Sequence, residues 1–414
     1  MPSWCCRRGD PNAPEPRATM SYASTAAPSV PAILDADSHL MELPDFLSRH
    51  VERSMRDRIP TLDEIRLADV GEQMHAYRNA REHAPETVAE LVALGDRITR
   101  GPKWHHALGA FNGRERGLAL DLLGFERQVV FSSFCATKIF THPDPSVGQA
   151  AAAAHNRAMA EFCDGDSRLI GIAIVPLDEP NAALALIDET LGLDLGAVWI
   201  PSRAPGGRSP GHPLHDKIWR RLEETGTPFI LHVGSSSLSV PDEWMNDGHP
   251  DRLSARGGVE VIGAKDLTVI FHSAQRFIST LVLDGVLERF PRLTGGVIEL
   301  GAGWVPDTIR RLDHAVDIWA RSEPHLGEFR RKPSEQFREQ LRFTPYPFED
   351  VGALIRESMP ELYLFSSDYP HAEGGRDPIG RFSRALAGIG EADQARFFAG
   401  NFRDLFGAGN GVRA

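Results

Sequence analysis

The chain has 414 residues, which is long for one domain but within the range of α/β barrels that carry insertions. Its hydrophobic content of 42% and its charged content of 25% are typical of a globular protein with a buried core. A formal net charge of −12 without a basic stripe argues against a nucleic-acid partner, and no apolar run approaches the ~20 residues of a membrane span.

The N-terminal part of the chain differs in composition from the rest. Residues 1–30 are rich in Pro, Ala, Ser and Arg and lack the apolar centre of a signal peptide. We predict a disordered extension there, followed by one domain over residues 31–414. The four cysteines include no Cys-x-x-Cys pair and do not form a disulfide framework, so we expect a cytoplasmic protein with reduced thiols.

Short apolar runs alternate with amphipathic segments, a pattern typical of βα units around a parallel sheet. Strands are predicted over residues 32–37, 127–131, 169–175, 197–201, 228–233, 295–300, 341–344 and 361–366. Helices are predicted over residues 147–163, 182–191, 215–226, 274–290, 306–321, 348–357 and 391–406. Eight strands in this order predict a (β/α)8 TIM barrel, in which reactive groups lie at the C-terminal ends of the strands.

Two connections are too long for simple crossovers. Residues 43–126 separate the first two strands and contain predicted helices over 64–82 and 86–99, and residues 235–263 follow the fifth strand. A connection of this length is usually a functional lid or a small subdomain. We therefore expect residues 43–126 to form a helical cap over the barrel mouth, above a deep pocket suited to a large substrate.

The first strand ends in the sequence Asp35-Ala-Asp37-Ser-His39. Alternation along a strand places these three ionisable side chains on one face, and carboxylate oxygen beside imidazole nitrogen suits a divalent first-row metal. Alone, the motif is equally compatible with a turn that holds a hydrogen-bonded histidine. Residues of the same chemical types follow later strands, which favours a metal site at the barrel mouth: His232, Glu299 and Asp368.

Three further side chains near these strand ends have two interpretations each. Glu42 is either a ligand or a carboxylate that caps the next helix. His371 either binds the metal or orients Asp368. His272 is either a ligand or a hydrogen-bonding residue at the start of a helix. All three are candidate metal ligands.

The chain resembles the amidohydrolase-related family of TIM barrels over residues 32–406. Besides the strand-1 motif and His232, the resemblance rests on four segments: Gly285-Val-Leu-Glu-Arg-Phe-Pro291, Gly301-Ala-Gly-Trp304, Ser367-Asp-Tyr-Pro370 and Gly400-Asn-Phe-Arg-Asp-Leu-Phe406. The branch it resembles contains aminocarboxymuconate semialdehyde decarboxylase and γ-resorcylate decarboxylase. The resemblance implies that the metal ligands are Asp37, His39, His232 and Asp368.

Two departures from that branch bear on the metal chemistry. Residues 198–202, at the end of strand four, offer no lysine to be carbamylated and to bridge two metals. Glu299 stands where the decarboxylases have a catalytic histidine. The surplus of carboxylates and imidazoles resembles the ligands of a non-haem diiron centre. The chain is also similar to a smaller group of TIM-barrel diiron monooxygenases that act on CoA-linked, terpenoid-like substrates in antibiotic biosynthesis.

The second resemblance implies two iron ions, an external electron donor and hydroxylation of a bulky CoA-linked substrate. The predicted ligands are then Asp37, His39, Glu42, His232, His272, Glu299, Asp368 and His371, with Glu299 and His272 as the catalytic residues. The alternative is one zinc or manganese ion in a hydrolase or decarboxylase of a carboxylic acid, with Glu299 as general acid and base. A purely structural metal is disfavoured because structural sites are closed.

Overall fold

The computed structural model describes residues 20–62, 68–234, 240–248 and 262–407. The strands are Leu34–Asp35 (β1), His39–Leu40 (β2), Arg127–Ser132 (β3), Leu169–Ile174 (β4), Ala197–Trp199 (β5), Phe229–His232 (β6), Gly295–Ile298 (β7) and Leu341–Phe343 (β8). They are parallel and form one curved sheet in the order β1-β3-β4-β5-β6-β7-β8, and β2, which follows β1 in the chain, also pairs with β3. This sheet confirms the predicted (β/α)8 TIM-barrel class.

An extended segment closes the barrel where the eighth strand is predicted. Residues 361–366 do not form a regular strand, which corrects that prediction. Tyr363 forms an isolated parallel bridge to Phe343 of β8, and the carbonyl of Phe365 accepts from the amide of Ala36. Farther along, the amide of Asp368 donates to the carbonyl of Asp37. The segment is therefore hydrogen-bonded on both sides, but its bonds are too widely spaced for a continuous ladder.

Helices follow the strands and cover the outside of the sheet. Capping residues start several of them: the side chain of Asn112 accepts from the amides of Arg114 and Glu115, and Asp144 accepts from the amide of Ser146. The helices are Tyr22–Ala26 (α1), Ala68–Ala76 (α2), Pro85–Val92 (α3), Gly113–Leu123 (α4), Cys135–Phe140 (α5), Pro145–Cys163 (α6), Pro180–Gly192 (α7), Asp216–Thr225 (α8), Asp242–Met245 (α9), Ala264–Leu267 (α10), His272–Leu283 (α11), Val286–Arg289 (α12), Val305–Trp319 (α13), Pro333–Gln340 (α14), Val351–Glu357 (α15), Pro378–Ala385 (α16), Glu391–Ala395 (α17) and Asn401–Phe406 (α18).

Two long helix predictions are only partly right. The helix predicted over 274–290 is two helices, α11 and α12, separated by Gly285 at a φ of 71°. A left-handed residue ends an α-helix, and glycine adopts that conformation without steric cost. The helix predicted over 391–406 runs through a π-helical stretch at Arg396–Gly400 between α17 and α18.

The long insertion between β2 and β3 packs into the same apolar core as the barrel. Leu120 and Leu123 of α4 are fully buried in that core, as is Val70 of α2. Residues 64–67 of the helix predicted over 64–82 lie outside the described residues. Residues 68–76 form α2, and residues 77–82 are not helical, so the helix ends earlier than predicted. That the insertion caps the barrel mouth stays a prediction.

The N-terminal stretch is partly ordered. Residues 1–19 lie outside the described residues, but α1 corrects the prediction of disorder for residues 20–30. The hydroxyl of Tyr22 donates to Asp377 and accepts from the amide of Ile379, which fixes α1 at the start of α16. The connection predicted over 235–263 lies mostly outside the described residues. Among the described helices, none is long and apolar enough to cross a membrane.

Burial of a histidine in α6 predicts a pH-dependent stability. Burial lowers the pKa of His155, beside Phe46, to about 4. As the pH falls, the His155 imidazole of the unfolded chain takes up a proton before that of the folded chain does. The free energy of unfolding therefore falls by about 2 kcal/mol from about pH 7.5 to pH 5. His155→Phe should remove that part of the slope, measured by urea unfolding at both pH values. The exposed His314→Phe is the control, and an unchanged slope in His155→Phe would contradict the prediction.

Candidate metal centre

Six ionisable side chains converge at the C-terminal end of the barrel. We call them the cluster: Asp37, His39, His232, Glu299, Asp368 and His371. Five lie at or near strand ends: Asp37 after β1, His39 at the start of β2, His232 at the end of β6, Glu299 after β7 and Asp368 in the closing segment. The ligand atoms fall into two overlapping groups, and within each group the atoms lie within 4.8 Å of one another. One group is Asp37, His39, His232 and Glu299, and the other is His39, Glu299, Asp368 and His371.

The imidazole of His232 faces two carboxylates with its unprotonated nitrogen. Its Nδ1 lies 3.0 Å from the carbonyl oxygen of Val233, which can only accept, so Nδ1 carries the proton. Nε2 then presents a lone pair 3.3 Å from Asp37 Oδ1 and 3.3 Å from Glu299 Oε2. Three electron-rich atoms that face one another in a buried space repel one another unless a proton or a metal cation lies between them.

The imidazole of His371 contacts Asp368 with one ring nitrogen and Ser133 with the other. Its Nδ1 lies 3.1 Å from Asp368 Oδ1, and its Nε2 lies 2.9 Å from Ser133 Oγ. The hydroxyl of Ser133 also lies 2.9 Å from the carbonyl oxygen of Leu40, to which it donates. With that proton committed, Nε2 of His371 donates to Ser133, and Nδ1 directs a lone pair at Asp368.

The ring of His39 lies between the two groups. It stacks on His371 at 3.9 Å between centroids, and its Nε2 is 3.4 Å from Asp37 Oδ1, 3.5 Å from Asp368 Oδ1 and 3.7 Å from Glu299 Oε2. Among the described residues, neither ring nitrogen of His39 nor Asp368 Oδ1 has a hydrogen-bond partner of good geometry, although all are buried. Imidazole and carboxylate together are the donor set of zinc, manganese and iron, so the residues present fit a first-row metal ion.

Two cluster residues adopt strained backbone conformations. Glu299 has a φ of 56° and Asp368 a φ of 53°, both in the left-handed region that side chains other than glycine rarely occupy. The amide of Glu299 donates to Thr344 Oγ1, and its carbonyl accepts from the hydroxyl of Tyr346. Such strain costs on the order of 1–3 kcal/mol and is concentrated at functional sites. The two strained residues aim their carboxylates at the cluster.

Electrostatics in the cluster follow from burial and from the facing charges. Burial alone raises the pKa of Asp37, but the facing imidazoles of His232 and His39 outweigh it and lower that pKa. Burial lowers the pKa of His39, yet Asp37 and Glu299 together hold it well above its usual value. Burial lowers the pKa of His232 and, more strongly, that of His371. The cluster therefore favours positive charge at its centre and neutral imidazoles at two of its edges.

The structure keeps Glu42 away from the cluster. Its buried carboxylate accepts hydrogen bonds from the amides of Ser133, Phe134 and Cys135, at 2.9, 2.9 and 3.1 Å. These amides begin α5, so Glu42 acts as a helix cap from a distant segment. This placement corrects its predicted role as a metal ligand.

His272 also lies outside both groups. It is exposed at the start of α11, where it lines a groove of about 680 Å³ between α11 and α13 with Phe271 and Trp304. This placement corrects its predicted role as a ligand, and its catalytic role stays a prediction. The ligand set implied by the family is divided as well, because Asp368 belongs to the second group and Glu299 completes the first.

Sequence reasoning missed the residues that hold the ligands. The motif includes Asp35, but the role of this carboxylate as an acceptor for the amide and hydroxyl of Ser367 was not predicted. Ser133 and Thr344 follow β3 and β8, so their positions at strand ends could have identified them.

Comparison with known proteins agrees with the fold. The model of the Amidohydrolase family matches residues 140–408. No curated protein sequence matches the chain. Among solved structures, an amidohydrolase of Mycobacterium avium subsp. paratuberculosis K-10 has a TM-score of 0.69 at 23% identity, covering 91% of this chain and 99% of that one.

Two similar structures are named as decarboxylases. The 2,6-dihydroxybenzoate decarboxylase from Rhizobium has a TM-score of 0.58 at 19% identity, covering 91% of this chain and 98% of its own. The 5-carboxyvanillate decarboxylase of Novosphingobium aromaticivorans DSM 12444, solved with manganese, has a TM-score of 0.59 at 16% identity. It covers 95% of this chain and 99% of its own. At these identities the likeness establishes the barrel fold alone.

The capping role of Glu42 predicts a separation of stability from metal binding. Glu42→Gln removes the charge that three amides share, which should lower the free energy of unfolding by about 1–3 kcal/mol. Because the carboxylate does not face the cluster, metal content per chain should stay at the parent value. Thermal unfolding and elemental analysis of the same preparation measure both. Loss of metal with unchanged stability would return Glu42 to the ligand set.

Proposed function

Because the chain belongs to the amidohydrolase family, we propose that it is a metal-dependent enzyme that decarboxylates or hydrolyses a carboxylic acid with one manganese or zinc ion. The observation that carries the proposal is the lone pair of His232 Nε2, which faces the carboxylates of Asp37 and Glu299 at 3.3 Å. Such a site at the mouth of a TIM barrel is accessible to substrate, as catalytic sites in this fold are.

In this proposal the ion is held by Asp37, His39 and His232, with Asp368 beside them. When bound, it polarises a carboxylate or carbonyl group of the substrate or lowers the pKa of a bound water. The carbonyl of Val233 keeps His232 in the tautomer that binds metal. Ser133 orients His371, which lies against Asp368.

Glu299 is the residue that we assign to proton transfer. Its side chain is 11% exposed, as is that of Asp368, whereas the other four cluster side chains are 0–2% exposed. Decarboxylation breaks a carbon–carboxylate bond, releases carbon dioxide and puts a proton on the carbon that keeps the electron pair. Hydrolysis begins instead with the removal of a proton from water, for which the carboxylate acts as a base. A carboxylate at the open side of the cluster can serve either reaction.

Decarboxylation of an aromatic acid is the first reaction to test. Several solved structures similar to this chain are named as decarboxylases of hydroxylated benzoates, and three of them are named with both manganese and a nitro-aromatic ligand. The likeness supports the choice of substrates and extends no further. In this chain Glu299 replaces the histidine of the decarboxylase branch, so the proton would come from a carboxyl group.

A second candidate function is the diiron monooxygenase. The second group, with His39 and Glu299 shared and Asp368 and His371 added, favours it because two overlapping groups are able to hold two ions. Two iron ions would supply dioxygen activation, with an external electron donor and a bulky CoA-linked substrate. In that case Glu299 would help to hold the iron and would not be available to move a proton.

The experiment is to count the metal ions and to assay the reaction on one preparation. Elemental analysis of the purified chain should give about one manganese or zinc ion, and carbon dioxide release should be tested with 2,6-dihydroxybenzoate and 5-carboxyvanillate. Removal of the metal with a chelator should abolish turnover, and manganese should restore it. Two iron ions per chain, together with reductant-dependent consumption of dioxygen, would replace the proposal with the second candidate.

Glu299→Gln separates the two functions. If Glu299 moves a proton, the amide should leave the metal content near one ion and lower turnover by about 10²–10⁴-fold. If it binds two irons, the neutral amide is a poorer ligand, and iron per chain should fall from about two towards one. The measurement is metal content and kcat for the variant beside the parent. Asp313→Asn, on the outer helix α13, is the matched control for loss of a carboxylate.

A further inference from the structure

An arginine of the insertion is completely buried behind the cluster. The guanidinium of Arg116, in α4, donates to the carbonyl oxygens of Gly109 at 2.8 Å and His39 at 2.5 Å. It also donates to Gln128 Oε1 at 3.0 Å and to Ser38 Oγ at 3.3 Å. Among the described residues, no carboxylate forms an ion pair with it. Burying an arginine charge against neutral acceptors is costly, and the hydrogen-bond geometry that this arginine imposes on its neighbours accompanies that cost.

The hydrogen bonds continue from Arg116 to the other side of the site. Gln128 Nε2 donates to Asp35 Oδ2 at 2.8 Å. Asp35 accepts from the amide of Ser367 at 2.7 Å and from its hydroxyl at 2.6 Å. Ser367 precedes Asp368 directly, and the amide of Asp368 donates to the carbonyl of Asp37. The chain of bonds thus begins at the backbone of one cluster residue and ends beside another.

We propose that Arg116 is a positioning residue for the metal centre, which holds the backbone of His39 directly and the segment of Asp368 through Gln128, Asp35 and Ser367. The proposal rests on the proposed metal-dependent function. It assigns to the insertion a part in shaping the metal centre from behind, in addition to its place in the core.

The chemistry of the guanidinium explains why an arginine occupies this position. Its planar fork offers five N–H donors, which reach the four acceptors on Gly109, His39, Gln128 and Ser38. A lysine retains the charge, but its three donors on one nitrogen do not reach the same four acceptors. The faces of Tyr369 and Phe162 lie 5.3 and 5.5 Å from the guanidinium carbon, which confines it further.

The consequence is specific to metal binding. Loss of the hydrogen bond to the His39 carbonyl frees the short segment that carries Asp37 and His39, so both ligands lose their fixed directions. Residues that orient ligands in this way typically affect metal affinity by about 10–100-fold. A residue that only stabilises the core would change the melting temperature without changing the affinity of the folded protein.

The test compares two buried arginines by removing their guanidinium groups. Arg116→Met should weaken manganese or zinc binding by about 10–100-fold, measured by competition with a chromogenic chelator on folded protein. Arg342→Met is the control, because this buried guanidinium bonds the carbonyls of Arg338 and Leu341, neither of which carries a ligand. Both variants should have lower melting temperatures, but only Arg116→Met should lose affinity. Equal affinities in both variants would overturn the proposal.

Two milder variants keep the proposal testable if Arg116→Met does not fold. Arg116→Lys should keep part of the stability and still lose affinity, and Gln128→Met should interrupt only the path to Asp368, with a smaller loss. The visible absorption of the cobalt-substituted protein should shift in each, because the ligand directions change. Parent affinity and parent spectrum in both would overturn the proposal. Metal binding is measured without substrate, so failure of the decarboxylase assay would not affect this outcome.

Discussion

The structure depends on one electrostatic constraint: three carboxylates and several imidazole nitrogens face one another in a largely buried space. Asp37 and Glu299 oxygens lie 3.3 Å from the unprotonated nitrogen of His232. Such an arrangement is repulsive unless a cation occupies its centre. The barrel makes it possible because all parallel strands end on the same face. The insertion, the closing segment and the buried polar network all hydrogen-bond the segments that carry these groups.

Holding them has a cost that the surrounding hydrogen bonds offset. Hydrogen bonds stabilise the left-handed backbone at Glu299 and Asp368. Thr344 and Tyr346 bond the backbone of Glu299, and the amide of Asp368 donates to the carbonyl of Asp37. A fixed backbone leaves little freedom for the carboxylates to turn away from each other. The same rigidity would keep the metal geometry constant during a reaction, which is what preorganisation of a site means in energetic terms.

The parts of the fold that a sequence can predict are those with a local cause. Apolar runs such as β4 are buried along their whole length, so their positions could be read from hydrophobicity, and cluster residues could be found because they follow such runs. Glu42 and the closing segment could not. The partners of Glu42 are amides about ninety positions away, and the eighth strand position is held by scattered bonds to both neighbours. Nothing in the local sequence encodes either fact.

The number of bound metal ions determines the net charge of the cluster. Asp37, Glu299 and Asp368 bring three negative charges when ionised, and one divalent ion leaves one of them uncompensated. A buried site does not keep such a charge, so one carboxyl must then hold a proton. Two divalent ions leave one positive charge instead, which an anionic substrate offsets. With one ion the site would therefore store a proton, which decarboxylation needs, and with two ions it would attract an anion and have no proton to give.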